Sequence, residues 1–209
     1  MADRPIIFSG PMVRAQINGL KTQTRRLETS PLAKVQVGDR LYVRESWQTG
    51  MTGNGPQIAY AATPDCVEID AWDGHNEGCG PSFNYDRCPG AKWHHWLGDV
   101  LAAGPWRPSI HMPRWASRLT LVVTDVRLQH LQDITEEDAR AEGMQEPTLR
   151  DLGGELEQAA WSERQVFSRL WSSLHTRPGE RWEDNPAIVA LTFTVHRRNI
   201  DAMESTHAA

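Results

Sequence analysis

The residues best placed to do chemistry are Lys21, Thr22, Gln23, Thr24, Arg25 and Arg26, a run without one apolar side chain. A lysine near a threonine hydroxyl forms a base and nucleophile pair. Desolvated and close to other cations, the amine loses its proton more easily and can take one from the hydroxyl. Arg25 and Arg26 supply that cationic neighbourhood, or alternatively bind phosphate or carboxylate with both arms of the guanidinium. Taken alone, such a run is more often a solvated basic turn. A strict strand would send Lys21 and Thr24 to opposite faces, so a paired role requires a turn or bulge here.

A second group lies in the middle of the chain, where Cys66, His75, Cys79, Cys88, His94 and His95 gather all the cysteine and three of the eight histidines. Zinc takes four nitrogen or sulfur ligands, and His75, Cys79, Cys88 and His94 (or His95) can supply them as a structural site. No pair has the C-x-x-C spacing, and the bland alternative is a loop with free thiols.

The elements that must position these residues are legible in outline. Pro5 to Phe8 reads as a short entry strand. Pro11, Met12, Val13, Ala15, Gln16 and Ile17 read as a helix, with Pro near its start and Gly19 past its end. Leu41 to Trp47 alternates like a strand. From about 49 to 104 the periodicity fades into Gly, Pro, Asn, Asp and His, which reads as a long irregular insertion. Ser117 to Leu128 is the strongest strand pattern. It leads into a short helix in which Thr135 and Asp138 resemble a capping box and Gly143 is the stop. A longer helix is expected over 155–175 and a last strand from Ala187 to Val195, followed by a frayed polar tail over 197–209. The class is therefore mixed α/β (α+β) in a single domain.

The chain has 209 residues and a net charge of -5, with a pI near 5.9. It has no global attraction for a polyanion, and basic surface must be local, at Lys21/Arg25/Arg26, Arg107/Arg114/Arg118 and Arg197/Arg198. No stretch of about 18 apolar residues occurs, so no membrane partner is expected, and the first residues are too short an apolar run for a signal sequence. Three cysteines cannot all pair with one another, and the expected location is cytoplasmic. Among nine tryptophans, Trp47, Trp106, Trp115 and Trp182 lie beside charged or proline-rich segments and are expected on a binding surface.

Three blocks, taken together, resemble a known family. Gly19-x-Lys21-Thr22-x-Thr24-x-Arg26, Gly38-Asp39-x-Leu41-x-Val43, and Thr135-Glu136-x-x-Ala139-x-x-Glu142-x-Met144 look like the ASCH domain. The opening from Pro5 and the stretch Arg107 to Arg118 resemble its phage and prophage members. The resemblance covers about residues 5–47 and 107–196. It implies a small PUA-like β-barrel flanked by helices. Within the family, the bacterial amidohydrolases that deacylate N4-acetylcytidine use a lysine, a threonine and a glutamate, which match Lys21, Thr24 and Glu142. The implied roles are Lys21 as base, Thr24 as nucleophile, and Glu142 as the group that protonates the leaving amine or positions water. By itself Glu142 reads as an ordinary helix-end carboxylate. No cofactor is implied for catalysis, and the substrate is a modified cytosine nucleoside. The family's other activity is RNA binding, and Arg44, Glu45, Trp47, Arg114 and Trp115, with Arg118, suit stacking and phosphate contact to single-stranded RNA or to one nucleoside. A ribonuclease using the same basic cleft is the weakest alternative, because no histidine pair or metal-carboxylate cluster stands near the three blocks.

Overall fold

The structure, a computed structural model, describes residues 1–73, 82–96, 106–144 and 161–206. In chain order its elements are β1 (Asp3–Ile7), α1 (Gly10–Ile17), β2 (Gln23–Leu27), β3 (Arg40–Arg44), β4 (Trp47–Thr52), β5 (Gly55–Tyr60), β6 (Thr63–Glu68), β7 (Trp72–Asp73), β8 (Ser82–Phe83), β9 (Trp93–His95), β10 (Thr120–His130), α2 (Glu136–Ala141), α3 (Glu163–Leu174) and β11 (Ala187–His196). The fold is mixed α+β, as the sequence leads one to expect. Five strands form one sheet in the order β1-β3-β10-β11-β2. The chain divides into two compact units. One comprises Met1–Arg4, Pro11–Leu41 and Leu119–Arg197, and the other Pro5–Gly10, Tyr42–Arg118 and Arg198–Ala209.

The first unit is built on β10 and β11, which pair antiparallel with one register slip between Val123 and Asp125. Leu121 and Val123, two residues apart and so on one side of the strand, give β10 a buried apolar face. In β11 the consecutive residues Ile188, Val189, Ala190 and Leu191 are all buried, the pattern of a strand covered on both faces. Its free edge takes β2 in regular antiparallel register, Leu27 opposite Ile188 and Thr24 opposite Leu191. Helix α1 ends where expected, with Gly19 in the left-handed region at φ 72°. Helix α2 is capped by the Thr135 hydroxyl, which accepts from the Asp138 backbone N–H, and stops at Gly143, φ 89°. The longer helix is α3, Glu163–Leu174, and the part of its expected span before 161 lies outside the described residues.

The second unit departs from expectation. The stretch read as irregular carries a four-stranded sheet in the order β6-β5-β4-β9 and the pair β7-β8. It hid from periodicity because β4 buries Trp47, Gln48, Thr49 and Gly50 in succession, so polar residues stand where an apolar alternation would be sought. Trp47, Ile58, Tyr60, Ile69, Cys88 and Met112 form its apolar cluster. The tail is not frayed before 206. The Asn199 amide donates to the carbonyls of Arg114, Trp115 and Ser117, and Ile200 is fully buried. Among the described residues no helix is long and apolar enough to cross a membrane.

Candidate functional site

The first unit closes the basic run onto helix α2. After Gly19 turns the chain, the backbone N–H groups of Leu20 and Lys21 both donate to the Ala15 carbonyl. Lys21 then sits in an isolated antiparallel bridge with Glu142, and the Thr22 N–H donates to the Ala141 carbonyl at 2.8 Å. The change of direction lies ahead of the strand, and β2 itself is regular without a bulge. Gly143 allows the close approach. A Cβ there would stand 3.3 Å from the Cβ atoms of both Ala15 and Lys21.

Lys21 Nζ donates to Glu142 Oε2 at 2.5 Å and to the Glu142 backbone carbonyl at 2.8 Å. Both residues are enclosed, at 2% and 4% exposure. Burial pushes the Lys21 ammonium below the usual lysine range. The charge and hydrogen bond of Glu142 work against that, and the charges of Arg26 and Arg25 add to it. The other carboxylate oxygen, Glu142 Oε1, accepts from Arg25 Nη1 at 3.2 Å. Arg25 is itself fully buried, stacked 5.8 Å above the Phe167 ring, and ion-paired through Nη2 with Asp138 Oδ2 at 2.9 Å. The guanidinium expected to contact substrate is thus engaged with two carboxylates of helix α2.

Thr24 is 1% exposed. Its Oγ1 accepts from Arg26 Nη1 at 2.9 Å. An arginine can only donate, so this bond leaves the hydroxyl proton available for transfer, and the cation beside the oxygen stabilises negative charge that forms there. Burial also weakens the hold of Arg26 on its proton, while the Glu142 carboxylate, within electrostatic reach, strengthens it. A cleft of about 460 Å³ is lined by Gln16, Asn18, Gly19, Thr22, Phe193 and Arg197, with Thr22 the one residue of the basic run that reaches it.

No protein-family model matches the chain, and no curated protein matches it. Among solved structures it is similar to an ASCH domain from Lactobacillus crispatus JV V101, known from a high-resolution crystal structure. The likeness has 15% identity, covers 93% of this chain and 79% of that one, and has a TM-score of 0.37. At that identity and score it assigns neither a family nor an activity.

Arg44, Glu45, Trp47, Arg114 and Trp115 belong to the second unit, where the polar groups of all but Trp47 meet protein partners. Arg44 donates to the carbonyls of Met112 and Ile110. Glu45, 1% exposed, receives both arms of Arg118 at 2.9 and 3.0 Å. Burial raises the Glu45 carboxyl above its usual range, and Arg118 opposes the rise. Arg114 pairs with Asp201 at 2.6 Å, and Trp115 donates its indole N–H to the Pro89 carbonyl. Trp47, expected on a binding surface, is instead 0% exposed, edge-on to Trp115 with the Arg107 guanidinium 4.3 Å above its ring. A fully enclosed indole offers no face for a base to stack on.

Of the four zinc candidates, His75 and Cys79 lie outside the described residues. Cys88 is a buried free thiol whose acidity burial weakens, and His94 lies in β9. Among the described residues no three potential ligands cluster as a metal site.

Sequence reasoning overlooked Asp138 as a site residue, crediting it only with a helix cap. The available signal was its spacing. Asp138 and Glu142 are four residues apart and share one face of a helix, a paired carboxylate that calls for cations opposite.

Proposed function

We propose that the chain is an amidohydrolase that removes acyl groups from N4-acylated cytosine nucleosides, with Lys21, Thr24 and Glu142 as its catalytic residues. The observation that supports this reading best is the 2.5 Å contact between Lys21 Nζ and Glu142 Oε2, made in a buried setting by residues 121 positions apart. An amine whose proton affinity is reduced by burial gives up its ammonium proton more readily and is the better suited to act as a base. Lys21 takes the proton of Thr24 Oγ1, and the oxygen attacks the amide carbonyl carbon, forming the ester bond to Thr24 as the C–N bond breaks. Glu142, adjoining Lys21, delivers that proton to the departing N4 amine. Water then cleaves the ester, releasing the carboxylic acid and restoring the hydroxyl. Each turnover consumes one water and yields cytidine and the acid. The chemistry needs no metal. The set His75, Cys79, Cys88 and His94 is proposed only as a structural zinc site.

The test is hydrolysis of N4-acetylcytidine, followed by its loss of absorbance, for the native protein and for Lys21→Ala, Thr24→Ala and Glu142→Ala. Turnover that collapses in all three variants, each still folded, is the expected result. No turnover by the native protein over a panel of acyl groups would sink the proposal.

A further inference from the structure

The buried ion network extends further than the three catalytic residues require. Glu142 presents one oxygen to Lys21 and the other to Arg25. Arg25 in turn is paired with Asp138 Oδ2 at 2.9 Å, and Asp138 Oδ1 accepts from Arg127 Nη2 of β10 at 2.9 Å. Arg127 also meets Asp125 at 3.3 Å on the outer side. The carboxylate of Asp138 is spared for this contact because the cap of helix α2 uses only its backbone N–H. The chain of contacts is therefore Lys21, Glu142, Arg25, Asp138, Arg127, with charges alternating in sign along it.

The charged groups that act on Lys21 among the described residues include Glu142 at the end of α2 and Arg25 and Arg26 from β2. The groups facing Arg25 are Asp138 and Glu142 from α2, Gln23 from its own strand and the uncharged ring of Phe167 from α3.

We propose that Asp138 is a positioning residue that acts through Arg25: by holding one arm of that guanidinium it leaves Glu142 Oε2 to Lys21 and fixes the carboxylate between its two cations. This assignment rests on the catalytic reading of Lys21 and Glu142 only for its effect on turnover, because the geometry it describes stands apart from any reaction. Without a carboxylate at 138, Arg25 turns both arms to Glu142 and draws it away from Lys21. Its positive charge is then no longer offset nearby. Both changes disfavour the Lys21 ammonium.

The chain has only three lysines, Lys21, Lys34 and Lys92, so the side-chain amines of the full-length protein can be followed individually by NMR with labelled lysine. The experiment titrates Lys21 in the native protein, in Asp138→Asn, in Asp138→Glu and in Arg127→Gln, with Lys34 and Lys92 as internal controls. In Asp138→Asn the Lys21 transition is expected to move to lower pH by on the order of one unit, a tenfold loss of proton affinity. Asp138→Glu restores the charge and is expected to return most of the shift. Arg127 is 41% exposed in its side chain, and Arg127→Gln, which removes a cation from Asp138, is expected to move Lys21 the opposite way. It also supplies an answer if Asp138→Asn fails to fold. A Lys21 titration that is unchanged in every folded variant overturns the proposal, whether or not the protein hydrolyses N4-acetylcytidine. Shifts of the expected signs in a protein that hydrolyses nothing leave Asp138 as the positioning residue and remove the amidohydrolase reading alone.

Discussion

Glu142→Gln is the most informative single perturbation, because one carboxylate serves two enclosed cations. Lys21 is 2% exposed and the Arg25 side chain 0%. An isosteric amide keeps an acceptor but no charge, and breaking a buried pair from one side costs about 3–5 kcal/mol because the partner is left charged and unpaired. Lys21→Met removes the other side at a smaller cost, about 1–2 kcal/mol, since Glu142 keeps Arg25 and the methionine refills much of the volume. The double variant no longer buries an uncompensated ammonium. Its loss is therefore expected to fall short of the sum of the singles by about 2 kcal/mol, well beyond the ~0.5 kcal/mol scatter of independent sites. Urea unfolding of the four proteins near neutral pH measures this directly. The same set carries a pH dependence. The folded state binds the Lys21 proton less tightly than the unfolded chain, so native stability rises with pH from the lowered folded-state pKa up to the ordinary lysine value of 10.5. Lys21→Met is expected to flatten that rise. Additive losses, or a native-minus-Lys21→Met difference that ignores pH, would refute the reasoning.

Three further outcomes follow from particular side chains. Gln16 is 1% exposed and neither polar atom of its amide has a hydrogen-bond partner among the described residues; Gln16→Leu is expected to raise stability by about 1–2 kcal/mol in urea unfolding, since an apolar side chain of similar size removes the unmet groups. Gly50→Ala would bring a Cβ to 2.3 Å from the Trp96 ring and 2.7 Å from the His94 carbonyl oxygen, so a loss of at least about 2 kcal/mol is expected, read as a lowered unfolding temperature. Prolonged chelation is expected to leave hydrolysis of N4-acetylcytidine unchanged, while metal analysis of the untreated protein tests the zinc site independently.

The sequence made the first unit legible where local rules and tertiary needs agree. Pro11 and Gly19 bracket α1, Thr135 and Gly143 bracket α2, and the apolar strands 120–130 and 187–196 appear nearly as read. The pairing of Lys21 with Glu142 could not be read from spacing, because 121 residues separate them, and only resemblance set them side by side. Asp138 was missed because a side chain three residues into a helix looks like part of a cap; its spacing from Glu142 asks for cations opposite, and β2 and β10 supply them as Arg25 and Arg127. In the second unit the same logic misled in reverse. Trp47 stands in a polar, charged stretch of sequence, yet the strand it begins is enclosed, and Arg107 over its ring turns charge into covering rather than into a rim. The tail over 197–209 reads as frayed because it is polar, though Asn199 satisfies three carbonyls and Ile200 is buried.

The bridge between Lys21 and Glu142 also sets when the site can come into being. Joining positions 121 residues apart costs a free chain about 4 kcal/mol of closure entropy, from (3/2)RT ln n. Helix α1 with its turn, and the pairing of β10 with β11, need far shorter closures or bring large burial with them. The docking of β2 on β11, which sets Thr24 opposite Leu191, closes a longer loop still, so both long closures of this stretch are expected to follow the pairing of β10 with β11. During refolding, recovery of the lysine's perturbed titration should trail the return of secondary structure, so a slowed docking of β2 would yield a chain that is largely folded yet lacks its site.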